Sequence, residues 1–468
     1  MVSIDPTQAP SRLQDAPASS KLYRAAWRWH FYAGLYVIPF FAMLAITGMT
    51  MLWIAFLDGR DGDRIPVVPQ GTALAISQQA DAAVAAVPDG VVRQYVAPRS
   101  DDRAAIFRVD VDETATMVAI DPYTGAVLEA FPRRSGWYDF ADNVHGSLML
   151  GVTGDRMIEI AASLGMVLIA TGLYMWWPRG AGWRAALIPV LGRGRSAWKS
   201  LHGVFGIWIS VFLFFFLISG LAWAGIWGGK MVQAWSQFPA EKWDNVPLSD
   251  DTHAAMNHGP KEVPWALEQT PMPASGSQAG ITGLPDGMPV TLDSVDMLAR
   301  QIGFDARYQL NVPSGADGVW TLSRDSMSND SENPMADRTT HVDQYTGKIL
   351  ADVKFSDYSF AGKAMAVGIA LHMGTLGLWS VLANTIVCLA VLFLSLSGVV
   401  MWWKRRPAGG LRLAAPALPR NMPLWQGAVL VGLAVSLAFP MAGITLLTVL
   451  LLDWLILSRI PILKRAFS

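Results

Sequence analysis

Leu201-His202-Gly-Val-Phe-Gly206 opens an apolar run that continues to Trp227 without a charged residue, and the same device stands at the head of the first apolar run, at His30. Aligning the two on their histidines matches His30 with His202, Gly34 with Gly206, Thr47 with Ser219 and Gly48 with Gly220. A glycine four residues after a histidine lies one turn along the same helical face, and one eighteen residues after lies five turns along it. Each such helix carries an imidazole near one end and a missing side chain about 27 Å further on. A helix with this stripe has the means to ligate one flat cofactor and leave room for a second.

The composition fits a membrane setting. A chain of 468 residues with 52% hydrophobic residues and 20 tryptophans, at mean hydropathy +0.32, is too apolar for an ordinary soluble protein and reads as a membrane protein with soluble parts. A net charge of -1 and the lack of a basic patch outside the juxtamembrane loops argue against nucleic acid. The single cysteine, Cys388, excludes intrachain disulfides, cysteine-ligated iron–sulfur clusters and haem attached through CxxCH. No G-x-G-x-x-G after a strand and no P-loop is present, so no nucleotide or flavin domain is visible.

Taken in order, residues 1–30 form a cytoplasmic N-terminal segment whose Ala/Ser/Pro/Gln-rich first 20 residues read as disordered or surface-lying. The first span is 31–57, long enough to cross the hydrocarbon and too long for a signal-peptide core. Residues 58–140 turn soluble: Thr72–Val87 reads as a helix, Ala105–Val111 alternates like a strand, and Ala119–Leu128 is strand, turn, strand around Gly125. Residues 141–177 hold a short helix with His145, a break near Gly151–Gly154, and the second span. A basic loop at 178–200 leads to the third span at 201–227. A second soluble region, 228–358, has a Pro/Gly/Ser-rich linker near Pro264–Pro285, a helix at Thr291–Ile302 and a second turn in Thr340–Leu350. Residues 359–403 repeat the short helix and span, now with His372. After a basic loop, 404–423, an apolar stretch at 424–458 reads as a two-helix hairpin, and the tail is 459–468. Placing the Arg/Lys-rich short loops in the cytoplasm puts both termini inside and both soluble regions outside the membrane, with Trp176-Trp177 and Trp402-Trp403 at the interface.

The chain is therefore an internal duplication. His145 pairs with His372, and Thr171-Gly-Leu-Tyr-Met-Trp-Trp177 pairs with Ser397-Gly-Val-Val-Met-Trp-Trp403, with a one-residue insertion between histidine and helix in the first half. His30 and His202 fall near the cytoplasmic face, His145 and His372 near the outer one. Gly48 and Gly220 fall near the outer level, Gly172 and Gly398 near the inner. Each level of a four-helix bundle then offers two imidazoles and two gaps, a suitable axial set for b-type haem. A lone polar residue at a helix end is ordinarily interfacial, and small residues also serve plain helix packing; the weight here rests on four histidines repeated and paired by depth. His253 and His258, with Met256 between them, match no strong metal motif and read as solvated loop residues, and His341 reads as structural. No catalytic side chain stands out.

These features resemble the PepSY-associated transmembrane family. The resemblance is carried by the turns Asp121-Pro-Tyr-Thr-Gly125 and Asp343-Gln-Tyr-Thr-Gly347, the H-x-x-x-G openings of spans one and three, and the S/T-G-x-x-M-W-W endings of spans two and four, over roughly residues 20 to 406. Within the family the chain is most similar to the inner-membrane siderophore reductases of the ferrioxamine type. That resemblance implies two haem b, with iron axial ligands at His30, His202, His145 and His372, two small α+β PepSY-like periplasmic domains, and reduction of ferric siderophores, hydroxamates foremost. The expected fold is thus a mainly α membrane protein: four core transmembrane helices in a duplicated bundle, a C-terminal two-helix hairpin and two exported modules. The expected activity is electron transfer from a cytoplasmic donor or quinol to a ferric chelate, since hard oxygen chelators hold Fe(III) tightly and Fe(II) poorly. Two rivals follow from the same sequence: an anchored PepSY module that binds peptides or restrains a protease, and a siderophore or metal permease without redox chemistry.

Overall fold

The computed structural model describes residues 18–179, 182–243, 245–257, 262–406, 413, 415, 426–457 and 459–460. The first half runs α1 (Ala18–Leu57), α2 (Ile76–Ala86), β1 (Val91–Val96), β2 (Ala105–Val111), β3 (Thr114–Ile120), β4 (Val127–Pro132), α3 (Trp137–Ser147), α4 (Val152–Trp176) and α5 (Trp183–Leu187). The second runs α6 (Arg195–Leu221), β5 (Leu248–Thr252), β6 (Pro271–Pro273), α7 (Leu292–Gln301), β7 (Gln309–Asn311), β8 (Val319–Arg324), β9 (Arg338–Asp343), β10 (Ile349–Lys354), α8 (Phe360–Met373) and α9 (Leu378–Trp403), followed by α10 (Gln426–Ala438) and α11 (Pro440–Leu452). Two compact units result. A helical unit comprises the described residues up to Ala45, Asp155–Leu221 and those from Val387 on; a sheet unit comprises Ile46–Gly154 and Ala222–Ile386.

Four helices, α1, α4, α6 and α9, are long and apolar enough to cross a membrane. The C-terminal stretch, expected to supply two more spans, does not match them in length. The described part of α10 has 13 residues, and α11 runs on through a π-helical turn, Asp453–Leu457, so neither reaches the length of the four long helices in its described α-helical part. Phe439, with φ -130° and ψ 83°, breaks the run just before Pro440, the residue that cannot continue a helix but can start one. The third span also ends sooner than its composition suggests, at Leu221 rather than Trp227. The indole N–H of Trp265 donates to the Ala222 carbonyl at 2.9 Å, satisfying an acceptor at the helix end, and the chain then turns into a short π-helical segment, Trp227–Val232. The first helix starts before residue 20, at Ala18; the expectation for residues 1–17 lies outside the described residues.

In the helical unit, close approaches knit the four long helices together. A Cβ on Gly165 of α4 would meet Phe41 of α1 at 2.6 Å and Leu217 of α6 at 2.9 Å, so no larger residue fits that crossing. Phe205 of α6 and Phe393 of α9 pack with ring centroids 4.7 Å apart.

The sheet unit differs from expectation in a way that matters. The two segments expected as separate exported modules form one antiparallel eight-stranded sheet in the order β10-β9-β8-β7-β1-β2-β3-β4. The joint is β1 against β7, where Gln94 faces Asn311, Tyr95 faces Leu310 and Val96 faces Gln309. The Gln94 amide donates to Gln309 and to Asn311 at 2.8 and 3.0 Å. Pairing the two half-sheets removes an exposed edge from each, and α2 and α7 cover one face together over Tyr95, Phe107, Tyr308, Leu310, Leu322 and Val342. The two helices are tied where Ser77 donates to Asp293 through its backbone N–H at 2.9 Å and its hydroxyl at 2.6 Å. Within this shared sheet the repeat survives in detail. Asp121 accepts from the Tyr123 N–H at 2.9 Å and Asp343 from the Tyr345 N–H at 2.8 Å. Gly125 and Gly347 close the two turns at φ +74° and +67°, a left-handed backbone that glycine adopts without strain.

Candidate functional site

His30 of α1 and His202 of α6 face each other in the helical unit, with ring centroids 6.3 Å apart and planes at 83°. Each ring is held through Nδ1: His30 by the Thr171 hydroxyl at 3.0 Å, His202 by the Ser397 hydroxyl at 2.7 Å. Those hydroxyls have one proton each, and both are already committed. Thr171 donates to the Val167 carbonyl at 2.6 Å and Ser397 to the Leu394 carbonyl at 3.0 Å. The oxygen must therefore accept from the imidazole, which puts the ring proton on Nδ1 and leaves Nε2 with a free lone pair. A metal ion between two imidazole nitrogens, about 2 Å from each, sets ring centroids roughly 6 Å apart, which is the spacing observed. No group of three or more His, Cys, Asp or Glu is gathered for a metal among the described residues. A two-imidazole set suits a metal whose remaining ligands come from a porphyrin rather than from the chain.

The glycines divide into two kinds, where the sequence suggested one. A Cβ on Gly172 would lie 3.4 Å from His30 Cε1, and one on Gly398 3.9 Å from His202 Cε1 and 3.5 Å from Ile38. These two glycines lie against the edges of the imidazoles at ordinary contact distance. Gly34 and Gly206, one turn from the two histidines, have nothing within 4 Å of an added Cβ, and they are the positions with room beside the rings.

The hydroxyl–glycine clamp recurs at His145 in the sheet unit. His145, on α3, bonds through Nδ1 to the Thr47 hydroxyl at 2.9 Å, and a Cβ on Gly48 would lie 3.4 Å from its Cε1. Just beyond it, Leu148 and Met149 adopt left-handed backbone at φ +53° and +58°, uncommon and costly for such side chains, and a Cβ on Gly154 would strike the Ser147 carbonyl. His372, near the end of α8, packs edge-on to Trp223 with centroids 5.6 Å apart. Asn384 of α9 caps that helix end, donating to the Leu371 and His372 carbonyls at 2.7 and 3.1 Å. In the helical unit, Ser219, beside Gly220 on α6, donates to the Phe215 carbonyl at 2.8 Å, as Thr171 does to its own helix.

The hydroxyls were the part that sequence reasoning passed over. Their signal was present: each of Gly48, Gly172, Gly220 and Gly398 follows a Thr or Ser, a polar atom repeated four times within apolar helices. Glu159 was also missed. It is a buried carboxylate inside span α4, 3.1 Å from Arg156, and an ionisable group at such depth is costly to keep there.

His253 is not the solvated residue its loop composition suggested. Its side chain is fully buried, with Nδ1 donating to the Thr270 carbonyl at 2.7 Å and Nε2 2.9 Å from His341 Nε2. His341 in turn meets the Thr321 hydroxyl through Nδ1 at 3.0 Å. The carbonyl fixes the proton order: Thr321 donates to His341, His341 to His253, and His253 to Thr270, so both rings are satisfied while neutral. Burial holds His253 down at about 4 and, with the His253 neighbour, holds His341 well below its ordinary value. His258 lies outside the described residues. Nearby, burial pushes Asp337 up to about 7. Burial and the carboxylates of Asp330 and Asp337 likewise raise Asp325. Across the sheet, Glu262 gathers Arg60, Arg133 and Arg134. Burial there works to raise its carboxyl, but the three guanidiniums hold it below the usual range.

Four apolar helices, an antiparallel sheet and imidazoles held by hydroxyls describe a membrane protein. The model of the PepSY-associated TM region matches residues 27–405, and the chain belongs to that family. No curated protein matches the chain.

Proposed function

We propose that the chain is a di-haem b reductase of the bacterial inner membrane, taking electrons from a cytoplasmic donor or quinol and delivering them to ferric siderophores in the periplasm, with release of Fe(II). The observation that carries this reading is the His30–His202 pair, 6.3 Å apart with both Nδ1 atoms tied to hydroxyls. Haem bound there supplies a one-electron store that the side chains themselves lack. The residues do the rest: His30 and His202 would hold the inner group and His145 and His372 the outer one, with the hydroxyls of Thr171, Ser397 and Thr47 fixing the orientation of His30, His202 and His145. Apolar helices around them exclude water. On this reading the sheet unit is periplasmic and PepSY-like, both termini are cytoplasmic, and the Fe(III) chelate is substrate: one electron in, Fe(II) and free chelator out.

The clamp makes its own prediction. Thr171→Val removes the oxygen that orients His30, and loss of such an outer partner weakens metal-group binding by about 10–100-fold. One haem of two is expected to dissociate faster on dilution, read from the decay of Soret absorbance; retention equal to wild type would mean that the ring is oriented by something else.

The reading itself is tested on purified protein made under haem-replete expression. A Soret band that shifts with dithionite, followed by reoxidation on adding a ferric hydroxamate with Fe(II) trapped by ferrozine, is the expected result. A colourless preparation ends the haem reading; a haem-bearing protein that no ferric chelate reoxidises ends the reductase reading alone.

A further inference from the structure

Arg405 lies just past the end of α9, with its guanidinium against the rings of Trp27 and Phe31, 5.0 Å from each centroid. Its Nε and Nη2 are buried and have no hydrogen-bond partner among the described residues. The charged group that bears on it is another cation, Arg195. Two positive charges and two orphaned, buried N–H groups form a locus that wants an anion.

Helix geometry says where this locus sits. Arg405 is seven residues beyond Gly398, which abuts His202, and Arg195 is seven residues before His202 itself. Seven residues are two turns, so Arg195, the first residue of α6, continues the His202 stripe about 10 Å past it, and Arg405 stands two residues beyond the end of α9. Trp27, one of the rings flanking Arg405, is one turn before His30, and Phe31 follows His30 directly.

The duplication supplies an internal comparison. The offset that matches Thr171 with Ser397 and Trp177 with Trp403 matches Arg179 with Arg405. Arg179 donates to the Tyr174 carbonyl at 3.0 Å and packs on the Tyr174 ring at 4.5 Å, so it caps its own helix. Arg405 is turned instead toward α1 and keeps two donors open.

Resting on the haem reading above, we propose that Arg405, with Arg195 beside it, is the carboxylate-binding end of the inner site and receives a propionate of the haem held by His30 and His202. A guanidinium fork matches a carboxylate with two parallel hydrogen bonds, and the faces of Trp27 and Phe31 hold the fork in place and shield it from water. A haem without covalent attachment depends on such contacts for its orientation. A lipid phosphate offers the same anionic oxygens, and the test separates the two sources.

The experiment is a redox titration of full-length Arg405→Gln beside wild type, in detergent and in nanodiscs with and without anionic lipid. A cation near haem favours the electron-bearing state, so one midpoint of two is expected to fall in the variant in every medium. The same haem is expected to dissociate about tenfold faster on dilution, as loss of a charge-assisted contact implies. The second midpoint stays in place and reports an intact fold. Arg405→Lys is expected to restore the midpoint, which needs charge, more fully than the retention, which needs the fork. Two unchanged midpoints with unchanged retention overturn the assignment, and so does a shift seen only with anionic lipid, which makes the anion a headgroup phosphate. A wild-type protein without haem removes the underlying reading as well, whereas a haem-loaded variant that titrates like wild type removes the arginine alone.

Discussion

His202→Ala is expected to halve the haem, from two per chain to one, while leaving the chain inserted. The substitution deletes one of two imidazoles that face each other at 6.3 Å, and on the haem reading the inner group, short of one axial ligand, is expected to be lost in purification. The fold tolerates the change because the partner hydroxyl is not orphaned: Ser397 still donates to the Leu394 carbonyl, and α6 keeps its other packing, including Gly165 against Leu217. Alanine is also a better helix former than histidine. His145 and His372 belong to the sheet unit and are untouched. Pyridine-haemochrome stoichiometry against protein concentration gives the answer, and a ratio equal to wild type removes His202 from the ligand set.

Asp337→Asn is expected to make the sheet unit markedly more acid-sensitive. The sign follows from two opposing titrations. Burial holds His253 at about 4 and lowers His341. Both rings therefore stabilise the fold fully above their unfolded pKa of about 6.5, and that contribution is lost as pH falls from there through the folded value. Asp337 is raised to about 7, so it takes up a proton on folding, and its contribution grows as pH falls from about 7 toward 4. In wild type this carboxyl offsets part of the histidines' loss, as the raised Asp325 also does; without it that share of the offset is gone. Each group changes stability by about 1.4 kcal/mol per pH unit while it titrates in only one state. Between pH 6.5 and 4.5 the variant is then expected to lose about 3 kcal/mol more than wild type. Hydrogen-exchange protection of the β8 and β9 amides across that range reads the local stability, and parallel profiles for the two proteins would show that Asp337 does not titrate there.

Much of this was legible from one dimension because it rests on local rules. Length and apolarity of the runs marked all four helices that can cross a membrane. The alternation in Ala105–Val111 is strand β2 residue for residue, and Thr291 is the N-cap of α7, accepting from the Ser294 N–H. The two Asp-x-x-Thr-Gly turns close alike because aspartate and glycine each solve a local backbone problem. What failed were inferences in which a distant partner overrides the local signal. An uninterrupted apolar run to Trp227 said helix, but the Trp265 indole lets it stop at Leu221. Loop composition said that His253 was solvated, but a partner 88 positions away in the chain buries it.

The sequence by itself determined the four long apolar runs, the turns and the repeat, because helical and strand periodicity report only on a residue and its near neighbours. Tertiary structure alone decided that two half-sheets merge at β1 and β7, that three of the glycines lie against imidazole edges, and that Arg405 is left with open donors where Arg179 is not. Those outcomes depend on which surfaces meet, and edge pairing, close approach and burial of a polar group are properties of a contact that neither segment carries on its own.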